Sequence, residues 1–126
     1  MIEKTAKAPS IPSLEERGAI SQDKITMLLD EIVQRILTVS DPKQIILFGS
    51  YARGEAGRDS DLDLLVIKDE VDSTQAEAAR IYRALADLAV PVDVVVVRTT
   101  YVERYGDLVG TVVRPALREG KVIYAR

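Results

Sequence analysis

The sequence of 126 residues predicts an α/β domain, because segments with a helical period alternate with short apolar runs of strand length. Seven apolar residues between positions 25 and 37 fall on one face of a helix. Three apolar runs at 44–48, 61–67 and 92–97 are each too short for a typical helix. The predicted order is helix, strand, turn with a short helix, strand, helix, strand and helix.

The first and second helices carry signals at their ends. Ser21 can cap the start of the first helix, and Asp41-Pro42 ends it because the residue before proline disfavours the helical conformation. Thr74 and Glu77 have the spacing of a capping box, which predicts a second helix running to about Ala89.

The C-terminal part of the chain has a weaker pattern. It predicts a helix over about Tyr105–Arg118, interrupted or restarted near Pro115. After Gly120, the segment KVIYA predicts a short last strand.

The domain organisation predicted from the sequence is simple. Residues 1–19 are rich in Lys, Glu, Pro and Ser and show no period, so we expect a flexible N-terminal extension. Residues 20–126 are predicted to form a single domain, since there is no internal repeat. No apolar run approaches the roughly 18 residues of a membrane span, and no signal-peptide core follows the N-terminus. The expected location is therefore the cytoplasm.

Two residue types are missing from the whole sequence, and their absence restricts the chemistry. The chain has no cysteine and no histidine. This excludes disulfides, thiolate nucleophiles and the commonest zinc ligand and general base. Any catalysis has to use carboxylates, hydroxyls, Lys, Arg or a metal ion that prefers oxygen ligands.

Charge is distributed unevenly along the chain. Residues 1–97 carry 11 basic and 17 acidic side chains, net −6, and residues 98–126 carry 6 and 3, net +3. This is not the strongly basic surface of a protein that binds long nucleic acid. The basic end is either a solvated surface or a docking face for an acidic partner. Its residues are Arg98, Arg104, Arg114, Arg118, Lys121 and Arg126.

Two aspartates lie in the second predicted strand. Asp61 and Asp63 are two residues apart, so their carboxylates point to the same face. At ~6 Å and an effective dielectric of about 20, two carboxylates repel by roughly 3 kcal/mol. Asp93 is a third lone carboxylate at the head of the valine-rich run. If the two strands are neighbours, the three carboxylates offer the oxygen ligands that Mg²⁺ prefers; the alternative is a solvated strand entrance.

A Gly-Ser pair follows the first predicted strand. Gly49 permits a tight turn, and Ser50 begins a short helix whose free N–H groups and hydroxyl suit a phosphate. Most Gly-Ser pairs are only turns. Here Asp61 follows Gly49 by 12 residues, and a phosphate-binding turn beside a dicarboxylate metal site suits a nucleoside triphosphate with its magnesium.

The segment GSYARGEAGRDSDLDLLV resembles the signature of the DNA polymerase β nucleotidyltransferase superfamily. More narrowly, it is similar to the minimal nucleotidyltransferases (MNT), single-domain proteins often encoded beside a HEPN-domain partner. The resemblance covers about Ile25 to the C-terminus. It implies a mixed β-sheet with helices mainly on one face, and an active site at the Gly-Ser edge.

The resemblance also implies roles for individual residues. Gly49 and Ser50 would bind the triphosphate, and Arg53 and Ser60 match the motif and are expected to touch phosphate. Asp61 and Asp63 would hold two Mg²⁺ ions. Asp93 would ligate one of these ions and help to deprotonate the attacking hydroxyl.

The activity implied by the resemblance is transfer of a nucleoside monophosphate, expected to be AMP from ATP, to a hydroxyl. The acceptor would be a tyrosine on a HEPN toxin, which makes this chain a type VII-like antitoxin. Two alternatives remain open at this point: an antitoxin that acts by occlusion without catalysis, and transfer to a small molecule such as an aminoglycoside. The sequence leaves the nucleotide, the acceptor and the oligomeric state open.

Overall fold

The computed structural model describes residues 22–126, which form a mixed four-stranded sheet with helices on both faces. In chain order the elements are α1 (Gln22–Val39), β1 (Gln44–Phe48), α2 (Ser50–Arg53), β2 (Leu62–Lys68), α3 (Thr74–Ala84), β3 (Val92–Arg98), α4 (Thr99–Tyr105), α5 (Val113–Glu119) and β4 (Lys121–Ala125). The predicted α/β class is confirmed, and so is the predicted strand at each of the four positions.

The order of strands in the sheet is β3-β2-β1-β4. β1 is antiparallel to both of its neighbours, whereas β2 and β3 are parallel and are connected through α3. A parallel pair brings the beginnings of both strands to the same edge of the sheet. The register therefore places Asp63 of β2 directly beside Asp93 of β3.

The core has two parts, one on each face of the sheet. The longest helices, α1 and α3, cover one face, where Ile32, Ile36 and Ile81 are fully buried against the strands. Burying side chains of this size contributes about 1.5–3 kcal/mol each. The short helix α5 covers part of the other face with Val113 and Ala116. Most helical cover thus lies on one face, as the resemblance implied.

The start of α3 differs from the predicted capping box. Ser73 is the N-cap, and its hydroxyl accepts a hydrogen bond from the Ala76 N–H at 3.1 Å. Thr74 is consequently the first helical residue. Glu77 lies one position too far along the helix to close a box with Ser73, and its side chain is buried instead. The predicted capping role of Thr74 and Glu77 is wrong.

Two predicted helix bounds are also corrected. α3 ends at Ala84 rather than near Ala89. The single helix predicted over 105–118 is instead two short helices, separated by residues 106–112. Gly110 in this connection has a φ of +99°, a left-handed conformation that interrupts a helix. Pro115 lies in the first turn of α5, where its missing N–H costs no hydrogen bond.

The predicted extension over 1–19 and the predicted cap at Ser21 lie outside the described residues. The boundary at residue 20 and the single-domain organisation therefore stay predictions. Across 22–126, no helix is both long enough and apolar enough to cross a membrane.

Candidate functional site

Three aspartates lie at the edge where β2 and β3 begin. Asp63 is the second residue of β2 and is half-buried, whereas Asp93 is the second residue of β3 and is exposed. Neighbouring strands are about 4.8 Å apart, so these register partners are close. Asp61 is exposed and immediately precedes β2. We call Asp61, Asp63 and Asp93 the aspartate edge.

The aspartate edge is electrostatically unfavourable as it stands. Partial burial raises the pKa of Asp63, and the negative charges of Asp93 and Asp61 raise it further. The Arg53 guanidinium acts in the opposite direction and lowers the pKa of Asp63, but it does not outweigh them. The chain therefore does not neutralise Asp63 fully, and a bound cation would stabilise the ionised form of this carboxylate.

The donor chemistry of the edge fits a divalent cation, but the arrangement is not a finished metal cage. Within 22–126 no three acidic side chains converge closely enough to hold an ion as they are placed. Carboxylates are nevertheless the ligands that Mg²⁺ takes, and this ion usually keeps several waters and uses one or two protein carboxylates. The repulsion of Asp63 by Asp61 and Asp93 would be relieved by such a partly hydrated ion.

The turn after β1 packs directly against the aspartate edge. Phe48, the last residue of β1, is the register partner of Asp63, and Gly49 follows it with a φ of +77°. A Cβ atom at Gly49 would lie 2.2 Å from the Asp63 Oδ2 atom. This position therefore requires glycine for two reasons: the backbone has a positive φ, and the Asp63 carboxylate leaves no room for a Cβ atom.

The other predicted phosphate-binding residues have varied surroundings. Ser50 is partly buried at the first position of α2, next to Gly49. Arg53 ends α2 and is bonded to Glu55, with its Nε atom 2.9 Å from Oε1, and its Nη1 atom lies 3.9 Å from Glu119 Oε1. Ser60 accepts a hydrogen bond at 2.9 Å from the Gly57 N–H in the loop before β2. Ser50 thus adjoins the glycine that Asp63 approaches closely, while Arg53 and Ser60 have local hydrogen-bond partners.

Tyr82 of α3 is a functional residue candidate that the sequence did not indicate. Its O–H donates to the Asp93 Oδ1 atom at 2.8 Å, and its oxygen accepts from the Val94 N–H, also at 2.8 Å. Burial raises the pKa of Tyr82, as do the nearby Asp93 and Asp61 charges, so the phenol stays protonated and remains a donor at neutral pH. No motif relates a helical tyrosine to an aspartate 11 residues later, and only the fold brings them together.

Two of the six basic residues near the C-terminus are engaged within the chain. The Arg98 guanidinium donates to the backbone carbonyls of Val71 and Asp72. Arg126 pairs with Asp69 at 2.7 Å and with Asp41 at 3.2 Å. These two arginines tie loops together within the part of the chain that the structure describes, and a docking face formed by the six basic residues stays a prediction.

A sequence model of the nucleotidyltransferase domain matches residues 27–119, which include the whole aspartate edge and the turn at Gly49. The match covers well over half of the chain. This chain belongs to the nucleotidyltransferase domain family. The matched residues include β1, the turn at Gly49 and β2, the segments that place the glycine turn beside Asp63.

Solved structures share the nucleotidyltransferase fold. A proposed nucleotidyltransferase from Sulfolobus solfataricus is 17% identical, with a TM-score of 0.61 and 94% of each chain covered. A chain of a toxin-antitoxin structure with AMP-PNP is 23% identical, with a TM-score of 0.51, and 78% of this chain and 73% of that chain are covered. The comparison with curated proteins gives no significant match.

Proposed function

We propose that this nucleotidyltransferase transfers AMP from ATP to a hydroxyl, and that the acceptor is a tyrosine on a HEPN-domain protein. The chain would then be an MNT-type antitoxin that adds AMP to its toxin. The observation that carries the proposal is the aspartate edge beside the turn at Gly49, because repelling carboxylates lie directly against a turn where only glycine permits the close approach of Asp63. A similar fold in a toxin-antitoxin structure with AMP-PNP, an ATP analogue, supports the choice of nucleotide and partner.

The chain's own residues divide the work as follows. The N–H groups and hydroxyl at Gly49 and Ser50 would bind the triphosphate, and Asp61, Asp63 and Asp93 would hold two Mg²⁺ ions. When bound, the ions supply charge neutralisation for the phosphates and acidify the acceptor hydroxyl. Arg53 at the end of α2 and Ser60 in the loop before β2 would touch phosphate, Arg53 through guanidinium N–H groups that Glu55 does not use and Ser60 through its O–H, since its oxygen only accepts from the Gly57 N–H.

The reaction forms a bond between the acceptor oxygen and the α-phosphorus of ATP. The bond from that phosphorus to the β-phosphate oxygen breaks, and pyrophosphate leaves. The acceptor proton passes to Asp93, whose exposed position at the start of β3 keeps it accessible to a second protein. The chain thus provides the nucleotide half of the site, and the partner provides the nucleophile.

The test is incubation of the purified chain with ATP, Mg²⁺ and the product of the adjacent gene, which we expect to be a HEPN-domain protein, followed by intact mass spectrometry of that product. The expected result is a gain of one or more adenylates on tyrosine. Asp93→Ala should abolish the gain. Asp107→Asn, in the exposed connection between α4 and α5, is the matched control and should behave as the wild type.

The rival function, neutralisation by occlusion, predicts a different pattern. In that case wild type and Asp93→Ala would both bind and silence the partner while its mass stays unchanged. If adenylate appeared on an aminoglycoside and not on the protein partner, the acceptor would be wrong while nucleotidyl transfer would stand.

A further inference from the structure

We infer that Tyr82 is a positioning residue for nucleotidyl transfer. Its hydroxyl holds one oxygen of the Asp93 carboxylate and leaves the other oxygen free to bind a cation or an acceptor hydroxyl. The inference rests on the proposed function, since it assigns Asp93 to the reacting centre. It concerns a side chain on a different element, α3, that no part of the sequence motif includes.

Two consecutive hydrogen bonds, which we call the Tyr82 relay, connect the backbone of β3 to the Asp93 carboxylate. The Val94 N–H donates to the Tyr82 oxygen, and the Tyr82 O–H donates to Asp93 Oδ1, both at 2.8 Å. A hydroxyl that accepts from a fixed backbone N–H has its own proton directed toward the second partner. Tyr82 therefore fixes the carboxylate relative to the backbone of β3 itself.

The location of this relay explains why Asp93 needs it. β3 is the outer strand of the sheet and pairs only with β2, so its other edge has no strand neighbour within residues 22–126. Asp93 is exposed at the beginning of that strand. A short carboxylate there would rotate freely and would be repelled by Asp63, and the hydrogen bond from Tyr82 opposes both effects.

The relay also assigns different roles to the two carboxylate oxygens. Oδ1 is occupied by the phenol. Among the described residues, Oδ2 has no hydrogen bond to another side chain or N–H, so it is the oxygen available to a cation or an acceptor hydroxyl. Outer hydrogen-bond partners of metal-binding groups typically change affinity or activity by about 10–100-fold when they are removed.

The experiment compares Tyr82→Phe with Tyr101→Phe. The two tyrosines are similarly exposed, at 39% and 37%, but Tyr101 lies in α4, beyond the far end of β3. With the wild-type chain active, Tyr82→Phe should lower kcat for transfer about 10–100-fold and leave KM for ATP within about twofold. Tyr101→Phe should change neither. Circular dichroism at the assay temperature establishes that each variant is folded.

A second arm uses Mn²⁺ binding to the full chain, measured by electron paramagnetic resonance without partner or nucleotide. We expect Tyr82→Phe to weaken Mn²⁺ binding by about tenfold in the wild-type background and to have no effect in an Asp93→Asn background. A purely structural role for Tyr82 would give the same loss in both backgrounds, and that result would overturn the inference.

The outcomes separate this inference from the proposed function. If the wild type transfers AMP and Tyr82→Phe matches it in kcat and in Mn²⁺ affinity, Tyr82 has no positioning role while the proposed function stands. If Asp93→Asn does not alter Mn²⁺ binding at all, the metal assignment fails and the inference fails with it. Adenylate found on Tyr82 itself would show that the phenol is a nucleophile and would also overturn the positioning role.

Discussion

Carboxylates lie near both ends of β2, and the charges around them have opposite effects. Near the end of the strand, Lys68 donates to Glu77 at 2.9 Å, and Ser40 and Arg80 donate to the same carboxylate. We call these four residues the Glu77 cluster. Glu77 is only 3% exposed, yet it has three partners. At the start of β2, the charges of Asp61 and Asp93 act unfavourably on Asp63, and the charge of Arg53 opposes them without outweighing them.

The pKa values express this contrast. Burial alone would raise the pKa of Glu77, but the hydrogen bonds from Ser40, Lys68 and Arg80 outweigh burial and lower it. Burial raises the pKa of Asp63, and the neighbouring carboxylates add to the increase. A carboxylate that serves the fold is neutralised by the chain. One that is left unneutralised is a candidate for binding a ligand that supplies the missing charge.

The largest expected effect is on transfer at the aspartate edge. Asp63→Asn should reduce AMP transfer at least about 10³-fold, because a metal ligand contributes several kcal/mol of transition-state stabilisation. In chelator its free energy of unfolding should equal or slightly exceed that of the wild type, since like-charge repulsion is relieved. Asp61→Asn should behave in the same way. Activity assays and urea titrations measure the two quantities, and strong destabilisation of both variants in chelator would make the aspartates structural.

The reverse pattern is expected for the Glu77 cluster. Glu77→Gln should lower the free energy of unfolding by roughly 3 kcal/mol, because the partly buried Lys68 loses its ionic partner. Transfer should stay close to the wild-type rate at temperatures where the variant is folded. Urea denaturation and the transfer assay provide the readouts. A large loss of transfer in fully folded Glu77→Gln would abolish the distinction between the two groups.

Gly49 tests whether the turn and the aspartate edge act together. Gly49→Ala should cost about 1–3 kcal/mol of stability through the positive φ and should also displace Asp63, with loss of transfer. Gly54→Ala is the matched control, because Gly54 has a φ of +74° but a Cβ atom there would meet nothing within 4 Å. It should lose similar stability and keep transfer. Equal loss of transfer in both variants would show that only backbone strain matters.

The smallest expected effect is a pair of opposite pH dependences, measured in chelator by urea denaturation. Glu77 has a lowered folded-state pKa, so it stabilises the wild type relative to Glu77→Gln above its unfolded pKa of about 4.3. That advantage disappears as the pH falls through the folded pKa. Asp63 has a raised folded-state pKa, so its ionisation costs stability as the pH rises through that value. The free energy of unfolding of Asp63→Asn should thus rise relative to that of the wild type between about pH 4 and neutral pH. If the stability of wild type relative to each variant changed with pH in the same direction for Glu77→Gln and Asp63→Asn, the contrast between the two sites would be wrong.

The sequence predicted some of these features and missed others for physical reasons. Three apolar runs and the segment after Gly120 predicted the four strands, and the Gly-Ser and Asp-x-Asp motifs that the sequence relates are neighbours in the structure, where Asp63 lies against Gly49. The capping box predicted from Thr74 and Glu77 is wrong, because Ser73 and Thr74 are both good caps and the spacing does not reveal that Glu77 is buried and paired with Lys68. Tyr82 could not be predicted, since its partner depends on how α3 packs against β3.

The aspartate edge is expected to need a divalent cation before it binds a nucleotide. Isothermal titration calorimetry of the purified chain with ATP, once with Mg²⁺ and once with excess chelator, measures this dependence. We expect measurable binding with Mg²⁺ and little or none in chelator, because the triphosphate would meet unneutralised carboxylates, and Glu77→Gln should bind as the wild type does. Equal ATP affinity in the two conditions would show that the nucleotide binds without a divalent cation at the aspartate edge.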